Sequence, residues 1–288
     1  MSVSLRRRIL DAVDDRVDPR IIAGLGGIAL SLRSRSRCVV RYEDQDWIHR
    51  YPSGVVVNTT LGGVCAAEED RIARDTFLYA HHPRPGGTVV DIGAGVGSEV
   101  RIFSRAVGDT GRVLSIEAHP RTFRCLRRTV ELNRLSNVTL LECAVVGEAG
   151  PVRLDEDTLG HIRNGITRAG PHDSDAGAGD AGASGVEVVG RRLDEILRSC
   201  GVDRVDLLKM NIEGAELEVL RSAVDVLDVV DNLVVSCHDF KAEGPADAWM
   251  RTFAPVKALL RDAGYTITTR PGDPRPWIPY YVYATRGR

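Results

Sequence analysis

The sequence predicts an α/β fold with a mostly parallel sheet flanked by helices. Three observations carry that reading. From Gly87 onward, short apolar runs alternate with amphipathic segments of helix length. One junction, Asp91-Ile92-Gly93-Ala94-Gly95-Val96-Gly97, is a glycine-rich turn between a strand and a helix. The first 85 residues follow a different pattern, helical and then alternating β-branched and aromatic.

Residues 3–18 carry Val3, Ile9, Leu10, Val13 and Val17 at near-helical spacing and stop before Pro19. Residues 20–35, with Gly24, Gly26 and Gly27, read as a connection or a short helix. Residues 38–58 read as a β-hairpin around a Pro-Ser-Gly turn. Residues 66–81 return to helix, acidic at the start (Glu68, Glu69, Asp70) and stopped by Pro83 and Pro85. The expected division is a helical and β-hairpin cap over 1–85 and an α/β domain over 86–288.

Within the second part, TVVDIG is a short buried strand and residues 97–107 a helix. RVLSIEA, a helix over 120–133 and NVTLLECAVV follow, with GPVRLDE as an edge strand. Residues 170–185 are rich in Gly, Ala and Asp and bury too little apolar area to fix their backbone, so they read as a flexible loop. Two roles stay open for it, a lid over substrate or an insertion without function. The pattern resumes with a strand and helix in VEVVGRRLDEILRSCG, the strand VDLLKMNIEG, a helix over 215–223 and the strand NLVVSCHDF. A helix over 246–263, bent at Pro255, precedes YTITT and YYVYATR, an antiparallel pair at the sheet edge.

Bulk properties narrow the function classes. A chain of 288 residues with 43% hydrophobic content buries a full core. The formal net charge of −2 offers no global field for nucleic acid or an anionic membrane. The six cysteines (Cys38, Cys65, Cys125, Cys143, Cys200, Cys237) include no C-x-x-C pair, which argues against a zinc ribbon or a redox site. No apolar run reaches membrane-spanning length, and the basic start lacks the hydrophobic segment of a signal peptide. A cytoplasmic protein is the expectation, with a homo-oligomer left open.

The glycine turn has the spacing D-x-G-x-G-x-G, not the G-x-G-x-x-G that seats a pyrophosphate on a helix N-terminus. The compact form looks like an S-adenosylmethionine loop. Gly93 permits the tight turn, Gly95 lets the backbone pass close to a ligand, and Gly97 starts the helix against the strand, with Ala94 between them. Asp91 would repel a pyrophosphate but attract the ammonium group of methionine, directly or through water. Glu117, ending the next strand twenty residues beyond Gly97, suits the two ribose hydroxyls. Ala118 and His119 follow it toward the adenine side, and Cys143 and Ala144 end the third strand beside the expected ring.

Three segments resemble the FkbM family of methyltransferases: VVDIGAGVGSE, the stretch from GRVLSIEAHP to CAVVGEAG, and RRLDEILRSCGVDRVDLLKMNIEGAELEVLRSA. The resemblance covers roughly residues 65–240, and the last block is its most specific part. It implies a Rossmann-like class I methyltransferase with a mostly parallel seven-stranded sheet and an N-terminal helix and β-hairpin appendage. It also implies S-adenosylmethionine as cofactor and a hydroxylated small molecule, such as a sugar or polyketide, as acceptor. Gly95 stands where the family usually has Asn, and Asn211 where it usually has Asp.

In an open parallel sheet the ligand lies beyond the carboxyl ends of the strands, which directs attention to Lys209–Glu213 and to His238 and Asp239. Methyl transfer to a hydroxyl needs alignment and removal of one proton. His238 is the candidate base, with Asp239 orienting it and Asn211 nearby. These three are also weighed as ligands of a divalent cation such as Mg²⁺, a weak site by charge. Glu213 and Glu216 read as helix-opening residues, and Lys209 as a partner for a buried carboxylate. Trp47, His49, Tyr51 and Glu69 are candidate acceptor contacts if the first 85 residues cover the site. The competing classes are N- or C-methylation on the same scaffold, an NAD-dependent oxidoreductase, and a cofactor-binding protein without catalysis.

Overall fold

A computed structural model describes residues 18–155, 166–167 and 185–287. The expected first helix and most of the expected 170–185 loop lie outside these residues.

The described chain starts with α1 (Pro19–Ser34). This is a full helix where a connection or short helix was expected. Asp18 caps it, its carboxylate accepting from the Arg20 backbone N at 2.8 Å, and Pro19 occupies the first turn, where no N–H is needed. Strands β1 (Val39–Glu43), β2 (Asp46–Tyr51) and β3 (Gly54–Asn58) then form an antiparallel meander. The Pro-Ser-Gly turn joins β2 to β3 as expected. A second tight turn, with Asp44 and Gln45 both at positive φ (52° and 66°), adds β1. Helix α2 (Ala66–Thr76) follows.

The main sheet holds seven strands: β4 (Thr88–Ile92), β5 (Arg112–Glu117), β6 (Val138–Glu142), β11 (Leu207–Met210), β12 (Asn232–Ser236), β13 (Tyr265–Thr268) and β14 (Tyr281–Arg286). Their order is β13-β14-β12-β11-β4-β5-β6, and only β14 runs against the rest. This is the mostly parallel seven-stranded, Rossmann-like sheet expected. Both faces are covered, so the central strands are mostly apolar, with Asp91 of β4 and Lys209 of β11 buried among them. Val90, Ile92, Leu208 and Val235 pack under α5 (Leu193–Ser199), α6 (Glu216–Ser222) and α7 (Phe253–Asp262). Val89, Val113, Leu207 and Val234 pack on the other face against Phe77, beyond the end of α2, and against Ile102 and Phe103 of α3 (Val100–Val107). Helix α4 (Pro120–Leu132) carries the N-terminal meander: Ile48, Val55 and Val57 bury Cys125, and Asn133 pairs with both backbone groups of Val55 at 2.8–2.9 Å.

Three expectations need correcting. The strand of GPVRLDE (Gly150–Asp155) is not an edge strand, because it is paired on both sides. The strand of VEVVGRR, β10 (Gly185–Arg191), is not in the main sheet. It joins β7 (Ala144–Val145), β8 (Gly150–Asp155) and β9 (Ile166–Thr167) in a separate four-stranded sheet. The chain leaves β6 at Cys143, and β7 pairs with β10 instead. The helix expected over 246–263 is two elements, a 3₁₀ turn (Pro245–Met250) and α7. Pro255 falls in the first turn of α7, where its missing N–H breaks no bond and no bend is required.

Candidate active site

The order of the sheet reverses between β4 and β11: the chain passes from β4 outward to β6, then returns to β11 on the other side of β4. A crevice opens above the carboxyl ends of strands at such a switch point. Here it measures about 960 Å³ including its open mouth, and its walls come from the turns after β4, β5, β6 and β11.

The glycine turn forms the floor. Gly93 (φ +74°) lies so close to the next strand that a Cβ would sit 2.1 Å from the Asn211 carbonyl oxygen. Gly95 (φ +57°) faces open space, where a Cβ would meet nothing within 4 Å, so ligand atoms can approach the backbone. Gly95 N donates to Glu117 Oε2 at 2.8 Å. The other Glu117 oxygen accepts from His119 N (2.9 Å) and Thr122 Oγ1 (2.8 Å). A carboxylate offers about four acceptor positions, so one remains for a ligand hydroxyl.

Of the residues singled out from the sequence, Gly93, Ala94, Gly95, Glu117, Ala118, Cys143, Ala144 and Asn211 line the crevice together. Burial pushes the Cys143 thiol up to about 11, so it stays neutral. Gly97 packs instead against Leu126 of α4, and His119 caps α4, its Nδ1 accepting from Arg121 N at 3.2 Å.

Asp91 has a different position from the one expected. It is fully buried beneath the turn, on the Val89 face of β4, with Lys209 Nζ 2.8 Å away. The two residues are register partners on neighbouring strands, which explains the pair. Burial lowers the tendency of Lys209 to hold a proton, but Asp91 and Glu99 outweigh it and raise its pKa. The Lys209 ammonium also donates to the Gly93 carbonyl at 2.7 Å, tying the turn to β11.

The carboxylates that do face the crevice are Glu99, Glu117 and Glu213, and among the described residues its lining has no basic side chain. Glu213 lies in the Lys209–Glu213 stretch to which the sheet architecture points, whereas Glu99 is a crevice residue outside the sequence expectations. An acidic residue two positions beyond the last glycine of the turn was the available signal for Glu99. Desolvation raises the Glu99 pKa, with Lys209 opposing and Asp91 adding to the shift. At the rim Glu213 is paired with Lys241 at 3.0 Å.

His238 follows β12 and is buried, and it is not in the crevice lining. Its Nδ1 lies 2.8 Å from Glu216 Oε1. Asp239 does not orient it. The Asp239 Oδ2 accepts from the Thr252 and Phe253 backbone N atoms (3.0 and 2.9 Å), capping α7. His238 and Asp239 are thus engaged with different partners, and among the described residues no group of three or more His, Cys, Asp or Glu side chains is arranged for a metal ion.

Trp47, His49, Tyr51 and Glu69 all lie away from the crevice. Trp47 and Tyr51 belong to the core between α1 and the meander, His49 Nε2 meets the Leu61 carbonyl at 3.1 Å, and Glu69 pairs with Arg101 at 2.9 Å. No helix among the described residues is long and apolar enough to cross a membrane.

The sequence profile described as the methyltransferase FkbM domain matches residues 91–267. The methyltransferase sdnD of Sordaria araneosa is 28% identical over 214 residues, which span 66% of this chain and 77% of that protein. The 31-O-demethyl-FK506 methyltransferase FkbM of Streptomyces tacrolimicus is 26% identical over 246 residues, 76% of this chain and 88% of that protein. Among solved structures, methyltransferase FkbM from Methylobacillus flagellatus KT is similar with a TM-score of 0.43 and 20% identity, over 69% of this chain and 43% of that one.

Proposed function

The chain belongs to the FkbM family of S-adenosylmethionine-dependent methyltransferases, and from that premise we propose that it methylates a hydroxyl oxygen of a small molecule of the sugar or polyketide kind. The observation that carries the cofactor side is the charge of the crevice. Glu99 and Glu117 face it, Lys241 matches Glu213 at the rim, and no basic side chain is among the described lining. That field suits a ligand with a sulfonium and an ammonium, and disfavours the phosphates of NAD. The Streptomyces relative is named for methylating 31-O-demethyl-FK506, an oxygen site, which supports the acceptor side.

In this reading the remaining acceptor position of Glu117 would take a ribose hydroxyl, the backbone around Gly95 would lie along the nucleoside, and Cys143 and Ala144 would bound the adenine. Glu99, near the glycine turn, draws the ammonium in place of Asp91, whose charge Lys209 already matches. When bound, S-adenosylmethionine would supply a sulfonium-activated methyl carbon, the C–S electron pair leaving with sulfur as the acceptor oxygen took the methyl group. His238 would take the acceptor hydroxyl's proton on Nε2. In this proposal the described residues 18–85 form a unit that braces α3 and α4 and leaves the acceptor site to other segments.

Calorimetry with S-adenosylhomocysteine, NAD and NADP tests the cofactor, with measurable affinity expected for the first alone. Methyl transfer to hydroxylated acceptors, with and without chelator, then tests the chemistry. His238→Ala is expected to lower turnover by about 10²–10⁴, the range of a general base. Near-normal turnover in that variant returns His238 to a structural role.

A further inference from the structure

We infer that Glu216 is the positioning residue for the base, holding His238 in the tautomer that leaves Nε2 open to a proton and stabilising the imidazolium that forms. This rests on the reading of His238 as the base.

The Glu216 carboxylate is wholly buried, and the His238 side chain is 5% exposed. A carboxylate only accepts, so the 2.8 Å contact places the hydrogen on Nδ1, and the neutral ring keeps its lone pair on Nε2. Nε2 makes no hydrogen bond among the described residues. The remaining acceptor capacity of Glu216 ties down the surroundings of the ring. Gly214 N donates to both oxygens at 3.0 Å, and Thr252 Oγ1 to Oε2 at 3.1 Å. One carboxylate therefore joins the turn after β11, the end of β12 and the start of α7, and Asp239 locks the last two together.

A helix-opening role does not account for this burial. Residues that complement a helix dipole ordinarily do so from the surface, whereas a buried carboxylate is costly unless paired. Among the described residues Glu216 has no lysine or arginine partner, and its one ion-pairing group is His238. The negative charge is fully matched when His238 becomes positive, which is the state that proton removal from the acceptor creates.

The test compares Glu216→Gln, His238→Ala and the double variant by kcat, by KM for S-adenosylmethionine and by S-adenosylhomocysteine affinity. Glutamine can still accept from Nδ1 and donate to Thr252 Oγ1, so the substitution removes charge with little change of shape. The expected result is a kcat lowered roughly 10- to 1000-fold in Glu216→Gln, cofactor KM and inhibitor affinity within about two-fold of wild type, and a double variant no slower than His238→Ala, as for residues acting as a unit. Glu216→Gln turning over within about three-fold of wild type while His238→Ala is impaired overturns the inference and leaves the base reading intact. Losses that multiply in the double variant overturn it too. Normal turnover in His238→Ala overturns the base reading and this inference with it. If Glu216→Gln does not fold, ¹H–¹⁵N spectra of the wild-type imidazole decide. Protonated Nδ1 with bare Nε2 supports the assignment, and the opposite tautomer overturns it.

Discussion

The joint between the N-terminal meander and the main domain, and the crevice above β4 and β5, both depend on buried carboxylates, and they use them in opposite ways. At the joint every such carboxylate meets a guanidinium. Asp46, fully buried, accepts from Arg124 at 2.6 Å and Arg128 at 3.1 Å. Arg101, 1% exposed, meets Glu69 at 2.9 Å, Asp70 at 3.2 Å and the Ala66 carbonyl at 3.1 Å, and Arg105 closes the group through Asp70. In the crevice Glu117 is held by two backbone N–H groups and a threonine hydroxyl, none of them charged. An ion pair cancels a carboxylate's field, whereas neutral donors fix its position and leave its charge to act on a ligand. Residues of the same type thus lock elements in one place and, under the proposed function, keep acceptor capacity for a ligand in the other, and the partner decides which.

The largest effect that tests this contrast is expected at the joint. Burial pushes the Glu69 carboxyl up to about 7, against the pull of Arg101. Arg101→Met removes that pull and strands the carboxylates, at a cost of about 3–5 kcal/mol in urea unfolding. Affinity of the folded fraction for S-adenosylhomocysteine is expected to stay near wild type. A stable variant with damaged cofactor binding would reverse the roles of the two regions.

A middle effect is expected in the crevice. Glu117→Ala should weaken S-adenosylhomocysteine binding by about 1–3 kcal/mol through unpaired ribose hydroxyls. Calorimetry measures it, and unchanged affinity removes Glu117 from the cofactor site.

The smallest effect concerns acid. Burial by itself would raise the Asp46 pKa, but hydrogen bonds from Arg124 and Arg128 outweigh it and the net shift is downward. A depressed carboxyl contributes stability above its ordinary pKa and loses it as pH falls through the native value. The wild type should therefore lose melting temperature below about pH 4 more steeply than Asp46→Asn. Parallel curves would show that the Asp46 pairs contribute nothing in solution.

Much of the frame was legible along the chain. The largely apolar runs at residues 88–92, 112–117 and 207–210 become β4, β5 and β11 because a strand covered on both faces needs apolar residues on both sides. The glycine turn was legible because its strand-turn-helix context is local, and Glu117 because a strand end one unit later is predictable from spacing. Glu216 was misread for the opposite reason. It lies 22 residues from His238, and in sequence it is indistinguishable from an ordinary acid at a helix start.

By itself the sequence determined most of the strands and helices of the main sheet, their alternation, and the glycine turn at the crevice, since these follow from short-range periodicity and backbone sterics. Tertiary structure alone decided that Asp91 faces Lys209 and not a ligand, that Glu216 and not Asp239 holds His238, and that the meander clamps α4 away from the crevice. Those outcomes depend on which side chains the strand register and helix packing bring within about 3 Å, the range of a hydrogen bond. Residues far apart along the chain carry no mark of that proximity before the sheet has formed.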